Sequence, residues 1–188
     1  MENYRTFIGV PVKVGEEFLR AREELIQKLQ GERISWVDPR RYHVTLRFIG
    51  ETRIAAVKAI GQSLKKHVEI PGRSVMKMDR PGSFGPRKKP RVVWVGFEEN
   101  GLFEKLKTGV DHALAECGFP TVDQPFRAHL TLGRVRSLKE TARFYRTIES
   151  MQDSFSYSVT MERLVFYRSE LGKGGPFYTP LDELVFRD

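Results

Sequence analysis

The chain has 188 residues, a net charge of +8, 40% hydrophobic and 30% charged residues. That length allows one substantial core, or two small lobes sharing one, and that composition excludes an intrinsically disordered chain. No apolar run approaches the ~20 residues of a membrane-spanning helix, and the positive balance points towards an anionic partner.

The start, Met1-Glu2-Asn3-Tyr4-Arg5, lacks the basic-then-apolar pattern of a signal peptide. Cys117 is the single cysteine, so no intrachain disulfide is expected and a reducing, cytoplasmic setting is the natural one. It falls on the apolar face of a predicted helix and reads as a structural thiol rather than a nucleophile.

Tyr4 to Val12 is aromatic and β-branched and predicts a first strand, closed near Pro11. Glu16 to Gln30 places Phe18, Ala21, Leu25, Ile26 and Leu29 on one helical face, ended by Gly31. A turn-rich link at Asp38-Pro39-Arg40 leads into a strand from His43 to Ile49, closed by Gly50. Thr52 to His67 is a second amphipathic helix, and Ser74 to Asp79 a strand. Arg80 to Pro90 is a loop by its turn residues and the one candidate boundary. Beyond it come a buried-type strand, Arg91 to Phe97, and a helix, Leu102 to Cys117, stopped by Gly118 and Pro120. The link Thr121 to Phe126 precedes a strand beginning near His129. Ser137 to Glu149 is a helix with a Ser137/Glu140 capping box, and Phe155 to Met161 a half-buried strand that can extend to Tyr167. A turn at Gly172 to Pro176 leads to a closing strand, Phe177 to Phe186.

His43-Val44-Thr45-Leu46 recurs as His129-Leu130-Thr131-Leu132, 86 residues on. The order strand, helix, His-x-Thr strand, helix, strand recurs with it, which predicts an internal duplication within one domain, 1–188, with approximate repeats 4–80 and 90–167. The expected architecture is α+β and bilobal: two antiparallel sheets flanked by outer helices, with a central cleft.

In a strand, His and Thr two residues apart share a face. Two such strands facing one cleft would bring two imidazoles and two hydroxyls to one small anion. Histidine, with a pKa near 6.5, serves as base or acid near neutrality, and each such role contributes about 10²- to 10⁴-fold. One imidazole could take a proton from an attacking oxygen while the other protonates a leaving oxygen across a phosphorus. The threonine hydroxyls could donate to the non-bridging oxygens as their charge grows. A metal site needs three or four ligands. No Cys-x-x-Cys, His-x-x-x-His or Glu beside these histidines is present, and His67 and His112 read as ordinary surface or edge residues. Neither metal nor cofactor is therefore expected. Leu171 to Gly175 does not match the spacing of a nucleotide-binding phosphate loop and reads as a turn.

The sequence resembles the 2H phosphoesterases, and within them the RNA 2′,3′-cyclic phosphodiesterase or 2′-5′ RNA ligase type. The resemblance rests on both His-x-Thr motifs and on the segments Arg5 to Val10, His43 to Glu51, Phe84 to Gly96, Phe126 to Arg134, Tyr167 to Leu171 and Gly175 to Tyr178. It implies a bilobal α+β fold and metal-independent opening of RNA 2′,3′-cyclic phosphate ends to a 2′-phosphomonoester. By resemblance His43 is the proton donor to the 3′ oxygen, His129 the base that activates water, and Thr45 and Thr131 hold the phosphate. Arg134 would support the anion, but strand alternation puts it on the face opposite His129 unless Gly133 permits a bend. The expected partner is RNA with 2′,3′-cyclic phosphate ends, tRNA fragments among the candidates, met by a monomer. Alternative readings are reversible 2′-5′ ligation of cyclic phosphate and 5′-hydroxyl ends, and non-catalytic binding of RNA ends. Arg87-Lys88-Lys89-Pro90-Arg91 is a candidate for phosphate contacts, and Tyr42, Phe48, Phe84 and Phe126 for base stacking.

Overall fold

The structure is a computed structural model that describes residues 2–122, 125–172 and 175–187. Its strands are β1 (Asn3–Pro11), β2 (Arg33–Trp36), β3 (His43–Arg53), β4 (Ser74–Phe84), β5 (Val92–Phe97), β6 (His129–Ser137), β7 (Ser158–Met161), β8 (Arg163–Gly172) and β9 (Gly175–Val185). Its helices are α1 (Glu16–Lys28), α2 (Ile54–His67), α3 (Leu102–Glu116) and α4 (Thr141–Ser150), with 3-10 turns at Pro39–Arg41 and Gln152–Phe155. The strands form two sheets, β3-β1-β8-β9 and β2-β6-β5-β4-β7, antiparallel throughout.

The two halves of the chain interleave. The first half's β1 and β3 sit with β8 and β9, while its β2 and β4 join β5, β6 and β7. The helices are exchanged too: α2 packs against α3 beside β3, and α1 lies beside α4, which rests on β4. Each helix buries one stripe, as with Phe18, Ala21 and Leu25 of α1 and Phe103, Leu106, Val110 and Ala113 of α3. One continuous core includes Ile8, Val44 and Leu164 of the first sheet and Val95, Leu130 and Met161 of the second. Burial of this kind contributes roughly 25 cal/mol per Å² of apolar surface. Gly118, with φ +81°, closes α3 by letting its own N–H and that of Phe119 reach back to Ala115 and Leu114.

Several expectations change. β4 runs through Pro81 and Gly82 to Phe84, so the expected loop at Arg80 to Pro90 starts five residues late. Pro81 is tolerated because the β4–β5 register shifts between Met78 and Pro81. Gly82 is required because a Cβ there would lie 2.5 Å from the Trp94 ring. β3 does not end at Gly50 but passes through it to Arg53. Ser137 is the last residue of β6, paired with Arg33, so it cannot cap a helix; Glu140 instead precedes α4 and binds Arg146. The stretch from Phe155 to Tyr167 divides into β7 and β8, which belong to different sheets. β2 had no sequence signal. Lys173 and Gly174 of the expected turn, and Asp123 and Gln124 of the expected link, lie outside the described residues. Among the described residues no helix is long and apolar enough to cross a membrane.

Where α3 passes α2, Gly109 lets the helices close: a Cβ there would lie 2.9 Å from the His67 carbonyl oxygen and 3.0 Å from Val68 Cα. Gly109→Val should cost about 1–3 kcal/mol by overpacking. Urea unfolding would read this as a lower midpoint at unchanged slope; an unaltered midpoint would contradict the close approach.

Candidate active site

β3, at the edge of the first sheet, lies against β6 of the second. The cleft between them has a volume of about 760 Å³ and is lined by His43, Thr45, His129, Thr131 and Arg134. His43 and Thr45 project from β3 as alternation requires, with Val44 and Leu46 turned into the core. His129 and Thr131 do the same on β6, above Leu130 and Leu132.

Both imidazoles are held in the same way. His43 Nδ1 lies 2.8 Å from the Arg41 carbonyl oxygen, and His129 Nδ1 lies 2.8 Å from that of Arg127. A carbonyl only accepts, so each Nδ1 carries its hydrogen and each neutral ring leaves Nε2 as the free acceptor. The residues that supply the two carbonyls are themselves fixed. Arg41 Nη1 donates to the Pro176 carbonyl at 2.9 Å, and the turn before it is capped by Asp38, which accepts from the Arg40 N–H at 2.9 Å. The Arg40 guanidinium holds the Asp38 carboxyl down to about 2. The Arg127 guanidinium lies 4.5 Å from the Trp94 ring centre. These two arginines, each two residues before its histidine, escaped the sequence reading; their identical 86-residue offset was the available signal.

Aromatic rings back both histidines. Phe7 and Tyr178 lie 4.9 and 5.3 Å from the His43 ring, and Phe84 stands edge-on to His129 at 4.8 Å with Trp94 behind it. Burial lowers both imidazole pKa values below the ordinary 6.5, against the opposing effect of the Nδ1 bonds. Positive charge lowers them further: His129 and Arg134 act on His43, and Arg127 and Arg134 act on His129.

Arg134 reaches the cleft through a bulge. Trp94 pairs with Thr131 but Val93 pairs with Gly133, so Leu132 is an extra residue that shifts the alternation by one. A Cβ on Gly133 would lie 2.8 Å from Ile34 and 2.9 Å from Trp36 of β2, so only glycine fits beneath that strand. β3 has the matching bulge at Leu46, between the Thr45–Gly9 and Arg47–Ile8 pairs. There the corresponding cleft residue is Phe48, 60% exposed.

Of the four aromatics considered for stacking, Phe48 and Phe126 line the cleft. Tyr42 is buried, its hydroxyl accepting from Arg22 Nε at 2.9 Å, and Phe84 backs His129. The loop Arg87 to Lys89 is exposed and lies outside the cleft lining. Arg47, Lys107, Arg136, Trp36 and Tyr178 do line it and had no sequence signal of their own. His67 pairs with Glu116 at 2.8 Å, away from the cleft, and no cluster of three metal-ligating side chains occurs among the described residues.

The profile of the LigT-like phosphoesterases matches residues 8–94 and 96–178, each segment containing one His-x-Thr motif. A protein of Thermotoga maritima named RNA 2′,3′-cyclic phosphodiesterase is 30% identical over 184 residues, covering 97% of this chain and 95% of its own. One of the same name from Archaeoglobus fulgidus is 31% identical over 180 residues, covering 94% and 97%. Among solved structures, a Thermus thermophilus protein superposes with a TM-score of 0.75 at 25% identity, covering 97% of this chain and 98% of its own. E. coli LigT in its apo form superposes with a TM-score of 0.73 at 20% identity, covering both chains fully.

Because the Arg134 cation disfavours both imidazolium forms, Arg134→Ala should raise both imidazole pKa values. Titration of the His43 and His129 ring resonances by NMR measures this. Unmoved or lowered values would show that Arg134 does not face the pair.

Proposed function

The chain belongs to the LigT-like phosphoesterase family, and from that membership we propose that it hydrolyses the 2′,3′-cyclic phosphate of RNA ends to a 2′-phosphomonoester. The observation that carries this reading is the matched pair of Nδ1-anchored histidines on one cleft. Water attacks phosphorus opposite the 3′ oxygen, and His129 Nε2 takes its proton. The bond from phosphorus to the 3′ oxygen breaks, and the proton on His43 Nε2 passes to that oxygen. The products are a free 3′ hydroxyl and a 2′-phosphomonoester. His43 is then neutral and His129 protonated, so one proton exchange with solvent restores the starting state.

Thr45 and Thr131 donate their hydroxyl hydrogens to the non-bridging oxygens, and the Arg134 guanidinium faces the charge they gain in the five-coordinate transition state. No step in this scheme calls on a metal. Phe48 and Phe126 offer apolar surface to the terminal base. One chain supplies both motifs, so a monomer suffices, and a cytoplasmic setting keeps Cys117 reduced.

With adenosine 2′,3′-cyclic phosphate in excess EDTA, turnover should persist, while His43→Ala and His129→Ala each lower kcat by about 10²- to 10⁴-fold. The reaction needs His129 neutral and His43 protonated, so kcat/KM rises through one pKa and falls through the other. Both are lowered in the free protein, which puts the maximum on the acid side of pH 6.5. Loss of activity on chelation, or full turnover in either variant, would reject the scheme.

A further inference from the structure

The two histidines are held identically, so their own geometry does not decide which side of the cleft receives the nucleoside. A feature of β3 without counterpart on β6 does. Arg47 is 8% exposed and lines the cleft at the end nearest α3. Its Nη2 donates to the Pro120 carbonyl oxygen. Its Nη1 stands 3.7 Å from Asp111 Oδ1, beyond hydrogen-bond reach, and both Nε and Nη1 are buried with no hydrogen-bond partner among the described residues. Lys107, one helical turn before Asp111, lines the same cleft and pairs with the same carboxylate. Among the described residues two cations therefore share one carboxylate, and two buried guanidinium nitrogens lack a hydrogen-bond partner. Buried donors are ordinarily satisfied, and a guanidinium left short of partners is suited to an oxyanion.

We propose that Arg47 and Lys107 form a second anion site, which takes the phosphate immediately 5′ of the terminal nucleoside of an RNA. The proposal rests on the RNA-end reading above. Arg47 follows Thr45 directly across the Leu46 bulge, so this second site adjoins the phosphate that Thr45 holds. The position 86 residues on is Gly133, which has no side chain, so the site exists on the His43 side alone. A nucleoside held there presents its 3′ oxygen towards His43 and leaves the His129 side to water. The acid and base roles of two otherwise equivalent histidines are thereby set by Arg47 and Lys107.

The test compares adenosine 2′,3′-cyclic phosphate with and without a 5′-phosphate, in the wild-type protein, Lys107→Gln and Arg47→Gln. The quantity read is the ratio of kcat/KM for the two substrates, which is insensitive to the fraction of folded protein. A charge-assisted contact predicts a wild-type preference for the 5′-phosphate of about tenfold or more, falling below about twofold in each variant. If Arg47→Gln does not fold, Lys107→Gln alone gives the answer. No wild-type preference, or a preference that the folded variants keep, overturns the proposal. If the wild type turns over neither substrate, the hydrolase reading fails and binding decides the site separately. Adenosine 3′,5′-bisphosphate should then bind about tenfold more tightly than adenosine 3′-monophosphate, with the difference lost in the variants; equal affinities would overturn it.

Discussion

Each His-x-Thr strand anchors its imidazole by one hydrogen bond, from Nδ1 to the carbonyl oxygen of the arginine two residues earlier, and the chemistry of the cleft depends on that bond. Because the acceptor has no hydrogen to give, it fixes the tautomer and the ring plane together. An imidazole free to turn would present either nitrogen, and its value as base or acid would fall with the fraction of time spent misaligned. The surroundings act on the same two rings. Aromatic neighbours exclude water and favour the neutral form, while Arg41 and Arg127 are tied to β9 and Trp94 by contacts of their own.

Beyond the histidines and threonines the two strands diverge, and the divergence has a structural cause. Both strands carry an extra leucine after the threonine, Leu46 and Leu132, which returns the residue five positions past each histidine to the cleft. On β6 that residue is Arg134, a cation lining the cleft. On β3 it is Phe48, an apolar surface in the same cleft. Between bulge and cleft residue lie Gly133 on one strand, compact beneath Ile34 and Trp36, and Arg47 on the other, extended against α3. A symmetric pair of anchored imidazoles thus sits in an asymmetric cleft, and under the proposed scheme substrate orientation comes from the asymmetric part.

Local features were legible in the sequence and non-local ones were not. The helices α1, α2 and α3 follow from apolar spacing, and the His-x-Thr strands from alternation, because both signals lie within a dozen residues. The strand exchange between halves is a property of pairing across more than eighty residues, on which local periodicity is silent. Pro81 and Gly82 carry the signature of a loop, yet they lie in β4, where a register shift and the Trp94 ring each call for them. Ser137 and Glu140 carry the signature of a helix start, but Ser137 is committed to pairing with Arg33. β2 is four residues long and half-exposed, too short for a pattern to show. Within the site, Arg134 was legible only together with Gly133, since the bulge that turns it inward leaves no mark except a glycine. Arg47 and Lys107 come from different elements, and only the packing of α3 on β3 brings them to one cleft.

In the proposed scheme His43 donates a proton to the departing 3′ oxygen while His129 activates water. Replacing the bridging 3′ oxygen of the cyclic phosphate by sulfur tests it directly, because a thiolate leaves without a proton. On that substrate the defect of His43→Ala should shrink by about 10²-fold or more, and the defect of His129→Ala should stay as large as on the oxygen substrate. Equal persistence of both defects, or relief of the His129→Ala defect instead, would contradict the assignment.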